Sequence, residues 1–393
     1  MWQRQYSRSA VSIDQGYAIP NRYILLFVAI GFGFAGFGSA GTAPADRLAS
    51  QQITVTLQAK GGPLMSSFKI CAPLTLALSA CISVPGQSET ALVAGVGPYS
   101  CQPLPAPAEQ VAFVQRNLNV SRNGLKLNAT LGLPGEMPPK ALVVFLHGYT
   151  GTRDEIQVRG GEGMFLRAAR AFAQQGIASV RFDFIGSGDS DGVWQDTTFR
   201  GQTEDTRTIL EALISEPGVN DVPVHLLGFS QGGLVALRAA AEGMPLRSVI
   251  LWNPVLDPRQ TYARLFSAAG LEAGLKLAKA GDLGAMVPGT GLKASFFADI
   301  EASDPIKTGA GFTQPVLAIT GRLDGIADNG TENAEKLKLA RRGSTAVVTV
   351  PGDHALGATR SAALIDEVIG CSVGFVARRS GLISGNTSLA PLQ

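Results

Sequence analysis

Imidazole is the scarcest catalytic group in this 393-residue chain, which contains only His147, His225 and His354. Any reaction that needs an imidazole must draw on one of these positions. Cysteine is nearly as rare. Cys71, Cys81, Cys101 and Cys371 form no C-x-x-C pair, so neither a zinc site nor a thioredoxin-like motif has support. Charge is thin as well: 16% of residues are charged, the net charge is +2, and no Lys/Arg block stands out. Without a basic footprint, nucleic acid is excluded as an expected partner. What is present is apolar residue, 45% of the chain, in a length that holds one large or two small domains and buries a substantial core.

Residues 1–80 read as an export-signal or membrane-anchor region, and 81–110 as a linker. Tyr23–Gly41 is a glycine-rich apolar run of about the length that crosses a bilayer. After Met65 comes a shorter run in which Lys69 supplies a positive n-region, Ile70–Ala80 an apolar h-region, and small residues precede Cys81. That layout is an export signal rather than a spanning helix. Leu78-Ser79-Ala80-Cys81 resembles the lipobox of bacterial lipoproteins, whose cysteine is acylated after cleavage. Either Met65 is the true start, with residues 1–64 an upstream extension, or Tyr23–Gly41 is a real anchor. The expectation is therefore a cell-envelope protein attached through lipidated Cys81 or through Tyr23–Gly41, and a cytoplasmic one if the leader is spurious. Ile82–Glu109, rich in Pro, Ser and Ala, is a tether. In an exported body, Cys101 and Cys371 either pair as a disulfide or stay separate thiols.

From residue 111 to 379 the pattern changes. Val111–Val120 and Leu125–Leu133 are β-rich and flank an Arg-Asn-Gly turn. Short apolar runs follow at Ala141–Leu146, Ala178–Phe184, Val224–Leu227, Ser248–Trp252, Pro315–Thr320 and Thr345–Val350. Each is too short for a buried helix and reads as a strand covered on both faces. Amphipathic stretches alternate with them at Gly163–Gln175, Gln202–Ser215, Gly233–Glu242, Asn333–Arg342 and Ala358–Arg378. This alternation predicts an α/β fold, a mostly parallel, doubly wound sheet with ligands beyond the carboxyl ends of its strands. Residues 257–311 have helical patterns but no strand and are expected to form a small helical lid, while 380–393 form a C-terminal tail.

The sharpest motif is Gly228-Phe229-Ser230-Gln231-Gly232, set between the run Val224–Leu227 and the helix Gly233–Glu242. A strand–turn–helix around G-x-S-x-G is a nucleophile elbow, which makes Ser230 the candidate nucleophile. A serine hydroxyl needs a base to take its proton. On such an elbow the chain order is Ser, acid, His, and His354 is the only histidine after Ser230. Asp324, just past the run Pro315–Thr320, is the expected acid, with Asp328 its rival. Asp353 reads as a loop residue and His225 as a hydrogen-bonded strand residue. Oxyanion donors are expected from the amides of Gln231 and of Tyr149, in His147-Gly148-Tyr149-Thr150-Gly151, with His147 bracing that loop. The glycines and aspartates of Arg181–Gly192 suit tight turns.

His147–Gly151, Phe182-Asp183-Phe184 with Gly186–Gly192, and Ser230-Gln231-Gly232-Gly233 together resemble the α/β-hydrolases grouped with serine aminopeptidases and bacterial feruloyl/cinnamoyl esterases; monoacylglycerol lipase-like enzymes are related. The resemblance covers roughly residues 115–378. It implies an α/β-hydrolase fold, a small-molecule ester substrate, an acyl-enzyme, and no metal or organic cofactor. An aminopeptidase or thioesterase is the alternative. The aminopeptidase needs a lid carboxylate for the substrate ammonium, for which Glu272, Asp282, Asp299 and Glu301 are available. A non-catalytic binding protein is the third reading.

Overall fold

The computed structural model describes residues 51–58, 64–72, 110–327 and 329–383. The chain divides into two units, residues 1–87 and 88–393. In the first, β1 (Gln51–Gln58) pairs antiparallel with β2 (Leu64–Ala72). The Lys69 end of the export-like stretch is thus strand. Its continuation to Cys81, the Tyr23–Gly41 run, Cys101, Asp328 and the tail beyond Ile383 lie outside the described residues. Among the described residues no helix is long and apolar enough to cross a membrane.

The second unit opens with β3 (Val114–Arg122) and β4 (Leu125–Leu133), paired antiparallel. Asn123 and Gly124 join them at φ 52° and 81°, the two left-handed residues that a tight hairpin turn of matching twist requires. The following strands are β5 (Ala141–Leu146), β6 (Ile177–Phe182), β7 (Val224–Phe229), β8 (Ser248–Trp252), then the two-residue β9 (Met286–Val287) and β10 (Leu292–Lys293), and finally β11 (Val316–Gly321) and β12 (Thr345–Val350). Eight of them form one sheet in the order β12-β11-β8-β7-β5-β6-β4-β3, with β5, β6, β7, β8, β11 and β12 parallel. The helices are α1 (Met164–Ala173), α2 (Phe199–Ile214), α3 (Gln231–Ala241), α4 (Pro258–Lys279), α5 (Ala294–Ala302), α6 (Pro305–Ala310), α7 (Gly330–Ala340) and α8 (Ala362–Arg379).

Both faces of the sheet are covered, which is why its strands read as unbroken apolar runs. In β5, Leu142, Val144 and Leu146 pack with Ile209 of α2, Val235 and Leu237 of α3 and Leu337 of α7. The alternate residues Ala141, Val143 and Phe145 meet Phe165 and Phe172 of α1 and Ile369 and Val376 of α8. Burying each large side chain contributes about 1.5–3 kcal/mol. Trp252 keeps its polar edge satisfied, its Nε1 donating to Ser372 Oγ at 2.9 Å. Cys371, buried in α8, is disulfide-bonded.

The lid departs from expectation. Residues 257–311 are not strandless: β9 and β10 pair antiparallel within them. Two-residue strands turned at Gly289 and Gly291, both with positive φ, are too short to leave a period-2 pattern in the sequence. The last lid helix, α6, packs on α3 and α7 of the body.

Candidate active site

Ser230 stands between β7 and α3 at φ 52°, ψ −117°, a left-handed backbone that non-glycine residues seldom adopt. The surroundings hold it there. Its N–H donates to Trp252 O at 2.9 Å, and its carbonyl accepts from Gly233 N and Val255 N, each at 3.0 Å. The flanking glycines are obligatory: a Cβ at Gly228 would lie 2.2 Å from Gly232 O, and one at Gly232 would lie 2.0 Å from Leu146 O. The elbow is therefore a close backbone crossing that side chains would push apart.

His354, in the loop between β12 and α8, points its Nε2 at Ser230 Oγ across 2.9 Å, although 124 residues separate them. Its Nδ1 lies 2.8 Å from Asp324 Oδ2. Asp324, just beyond β11, is fixed through its other oxygen, which accepts Ile326 N at 2.8 Å and Ala327 N at 3.0 Å. Its side chain is 2% exposed against 18% for His354. The acid is thus shielded from water while the imidazole stays reachable. With the Nδ1 proton directed to Asp324, Nε2 is left to accept from the Ser230 hydroxyl, the arrangement that activates a serine. Asp353 is a loop residue, as expected, accepting Gly357 N at 3.0 Å and pairing with Arg360 at 2.9 Å.

The other two histidines are buried braces. His147 donates from Nδ1 to Gly148 O at 2.9 Å, and its Nε2 accepts from Phe184 N at 3.1 Å. Burial pulls its pKa down to about 4, against the opposing backbone bond to Gly148 and the charge of Asp183. His225 lies within hydrogen-bond distance of Ser248 Oγ and Ser380 Oγ, and burial lowers it to about 3. Both stay neutral in the fold.

Of the two expected oxyanion donors, Gln231 directly follows Ser230, and Tyr149 follows Gly148, where a Cβ would lie 3.3 Å from Ser230 Cβ. Gln231 is the first residue of α3, where an amide has no intrahelical acceptor. Tyr149 belongs to the loop after β5, and that loop is pinned by Glu155, whose Oε2 accepts Gly148 N at 2.6 Å. Burial pushes the Glu155 carboxyl up to about 8. The Arg181–Gly192 turn is structural. Buried Asp183 takes Arg153 N and the Arg153 guanidinium at 2.6 Å each, and also accepts Asp189 N at 3.1 Å.

Two site residues escape sequence reasoning. Asn253, at φ 40°, donates from Nδ2 to Asp353 O and His354 O at 2.9 Å each, and its Oδ1 accepts Gly321 N at 2.6 Å. One side chain therefore ties the His354 loop to the end of β11, just before Asp324. Its place directly after β8 is the signal that could have found it. The second is Tyr262 of α4, fully buried. Its ring meets Tyr149 edge-on at 5.8 Å, and its hydroxyl donates to Gln231 Oε1. Around it Tyr149, Trp194, Phe199, Phe266 and Phe296 form an aromatic layer.

Residues 137–287 match the family model described as serine aminopeptidase, S33. The chain is 28% identical over 177 residues to "Putative esterase NocK" of Nocardia uniformis subsp. tsuyamanensis, covering 39% of this chain and 49% of that protein. It is 28% identical over 160 residues to "Uncharacterized peptidase YtmA" of Bacillus subtilis (strain 168), covering 40% and 57%. The chain spans about half the length of the curated relatives it matches. Among solved structures, Est1E from Butyrivibrio proteoclasticus with bound ferulic acid superposes with a TM-score of 0.52 at 20% identity, covering 67% of this chain and 99% of that one. The α/β hydrolase GrgF from Penicillium sp. sh18 superposes with a TM-score of 0.51 at 18% identity, covering 69% and 100%. At these identities the likeness establishes the fold.

Proposed function

We propose, from the premise that this chain is an α/β-hydrolase of the serine aminopeptidase type, that it cleaves carboxylic esters through an acyl-enzyme on Ser230. The observation that carries this reading is the continuous hydrogen-bonded line Asp324–His354–Ser230, with distances of 2.8 and 2.9 Å. His354 takes the hydroxyl proton as Ser230 Oγ attacks the ester carbonyl, and Asp324 stabilises the imidazolium. The carbonyl oxygen, now negative, lies between the Tyr149 and Gln231 amides. Collapse expels the alcohol, which takes the proton from His354. Water activated by the same imidazole then releases the acid and restores Ser230.

The lid favours an ester over an aminoacyl substrate. Asp299, its one buried carboxylate, already accepts Arg200 N at 2.7 Å. Glu301 pairs with Arg259, and Glu272 and Asp282 are exposed. The aromatic layer suits an apolar or aromatic acyl group of small to medium size. Action in the cell envelope belongs to the same proposal, supported by the export-like leader and by the disulfide at Cys371. A panel of p-nitrophenyl esters, hydroxycinnamate esters and aminoacyl amides, run with a Ser230→Ala control, tests the activity. Ester turnover that drops about 10⁶-fold in Ser230→Ala is expected. Turnover confined to the amides would overturn the ester reading, and a folded protein whose Ser230 resists fluorophosphonate would overturn the serine-hydrolase reading.

A further inference from the structure

A buried chain of polar side chains runs from the lid to the residue after the nucleophile. The Tyr262 hydroxyl donates to Gln231 Oε1, Gln231 Nε2 donates to Gln202 Oε1 at 2.7 Å, and Gln202 Nε2 donates to Thr197 Oγ1 at 3.3 Å. Tyr262, Gln231, Gln202 and Thr197 are all buried. The order of donors is self-consistent, each amide accepting at its oxygen and donating from its nitrogen. Such a chain is directional, unlike the apolar contacts around it, because each link fixes the orientation of the next.

Gln231 is fixed at both ends of its side chain, by the lid on one side and α2 on the other. Its own backbone N–H, at the start of α3, is a candidate oxyanion donor. Tyr262 also rests its ring against Tyr149, whose amide is the other candidate. One lid residue therefore touches both members of the pair. Burial, with the neighbouring Tyr149 adding to it, holds the Tyr262 phenol well above its ordinary range, so it remains a neutral donor wherever the enzyme is stable. While α4 is docked, the buried Gln231 oxygen has Tyr262 as its donor, and an unmatched buried acceptor is costly.

We propose that Tyr262 is a positioning residue that acts through the Gln231 side chain to aim the Gln231 amide, so that the oxyanion hole is complete only while α4 is docked. This rests on the serine-hydrolase reading above. It makes the lid more than a wall of the acyl pocket: its docked state sets the rate of the chemical step. Ester with the lid lifted would bind against a serine whose transition state lacks one aligned donor.

Tyr262→Phe removes one oxygen and keeps the ring in place. With p-nitrophenyl esters, kcat is expected to fall about 10- to 100-fold, the range produced by a small misplacement of a catalytic group, while KM stays within about two-fold. Fluorophosphonate labelling of Ser230, whose attack also places negative charge in the hole, slows by a similar factor. Phe297→Leu is the control for lid packing alone, since Phe297 meets Phe266 and Phe296 but has no part in the polar chain. Because it leaves the Tyr262–Gln231 bond in place, it is expected to raise KM and to lower kcat by less than Tyr262→Phe does. Gln202→Met attacks the chain from its other end, so Tyr262→Phe combined with Gln202→Met should lose less than the product of the two separate losses. A Tyr262→Phe enzyme with unchanged kcat and labelling rate, or fully multiplicative losses in the double variant, overturns the proposal. If Tyr262→Phe does not fold, Gln202→Met alone decides by the same split of kcat from KM. Wild-type protein that fluorophosphonate does not label instead overturns the underlying reading.

Discussion

At the carboxyl edge of the sheet, the candidate triad is held through hydrogen bonds to backbone groups. Ser230 is gripped through its own N–H and carbonyl, Asp324 by two amides in its own loop, and the His354 carbonyl by Asn253. In the lid, the side chains are held mainly by one another's faces, with Phe266, Phe296 and Phe297 in edge and tilted contacts between 5.5 and 6.3 Å. Hydrogen bonds weaken steeply when their angle is poor, so the edge tolerates little displacement. Dispersion and burial are non-directional, so the lid can be repacked at modest cost. The Tyr262–Gln231 contact carries the first kind of control from the lid to the residue after Ser230.

Three perturbations test that contrast. The largest effect belongs to the edge: Asp324→Asn keeps the shape but favours the wrong imidazole tautomer, and kcat should fall about 10⁴-fold with an unchanged thermal midpoint. A loss under tenfold would remove Asp324 from the acid's role. In the lid, Phe296→Ala leaves a cavity that costs about 3–5 kcal/mol. The loss should appear as faster amide hydrogen exchange across α4 and α5, with protection of the parallel strands retained. Uniform acceleration through the sheet would show that lid and body open as one unit.

The smallest effect is a pH dependence confined to the body, since residues 257–311 hold no histidine. His147 and His225, held by burial at about 4 and about 3, take up protons near 6.5 only when unfolded. Below that pH these two side chains bind more protons in the unfolded state, so their contribution to stability is full above it and declines as pH drops toward 4. The thermal midpoint should fall across that window, and less steeply in His225→Gln. An equal slope in the variant would mean that His225 is not kept neutral by the fold.

Much of the body was legible because both faces of its strands are buried. β4, β5, β8 and β12 begin and end where the apolar runs do. Helix starts were harder. α2 begins at Phe199, three residues before the expected Gln202, because Thr198 caps it by accepting Gly201 N at 2.9 Å. α8 begins at Ala362 rather than Ala358, behind the Ser361 cap. α3 begins at Gln231 because the strained Ser230 is itself the cap, a role hidden by the glycines that follow. The structure brings the expected Ser230, His354 and Asp324 into one hydrogen-bonded line, with Gln231 next in the chain after Ser230 and Tyr149 in the loop after β5.

The alternation of apolar runs and amphipathic stretches, the glycines around Ser230, and a single histidine after it determined by themselves the sheet, the elbow and the candidate for the base. Those features are local: period, turn sterics and chain order act over a few residues. Only the tertiary structure decided that Asn253 binds a loop 101 residues away, that Tyr262 reaches Gln231 across 31, and that Asp299 is already occupied by Arg200. Such contacts depend on where separate elements come to rest and on the angles at which their polar atoms meet, and no sequence period records either.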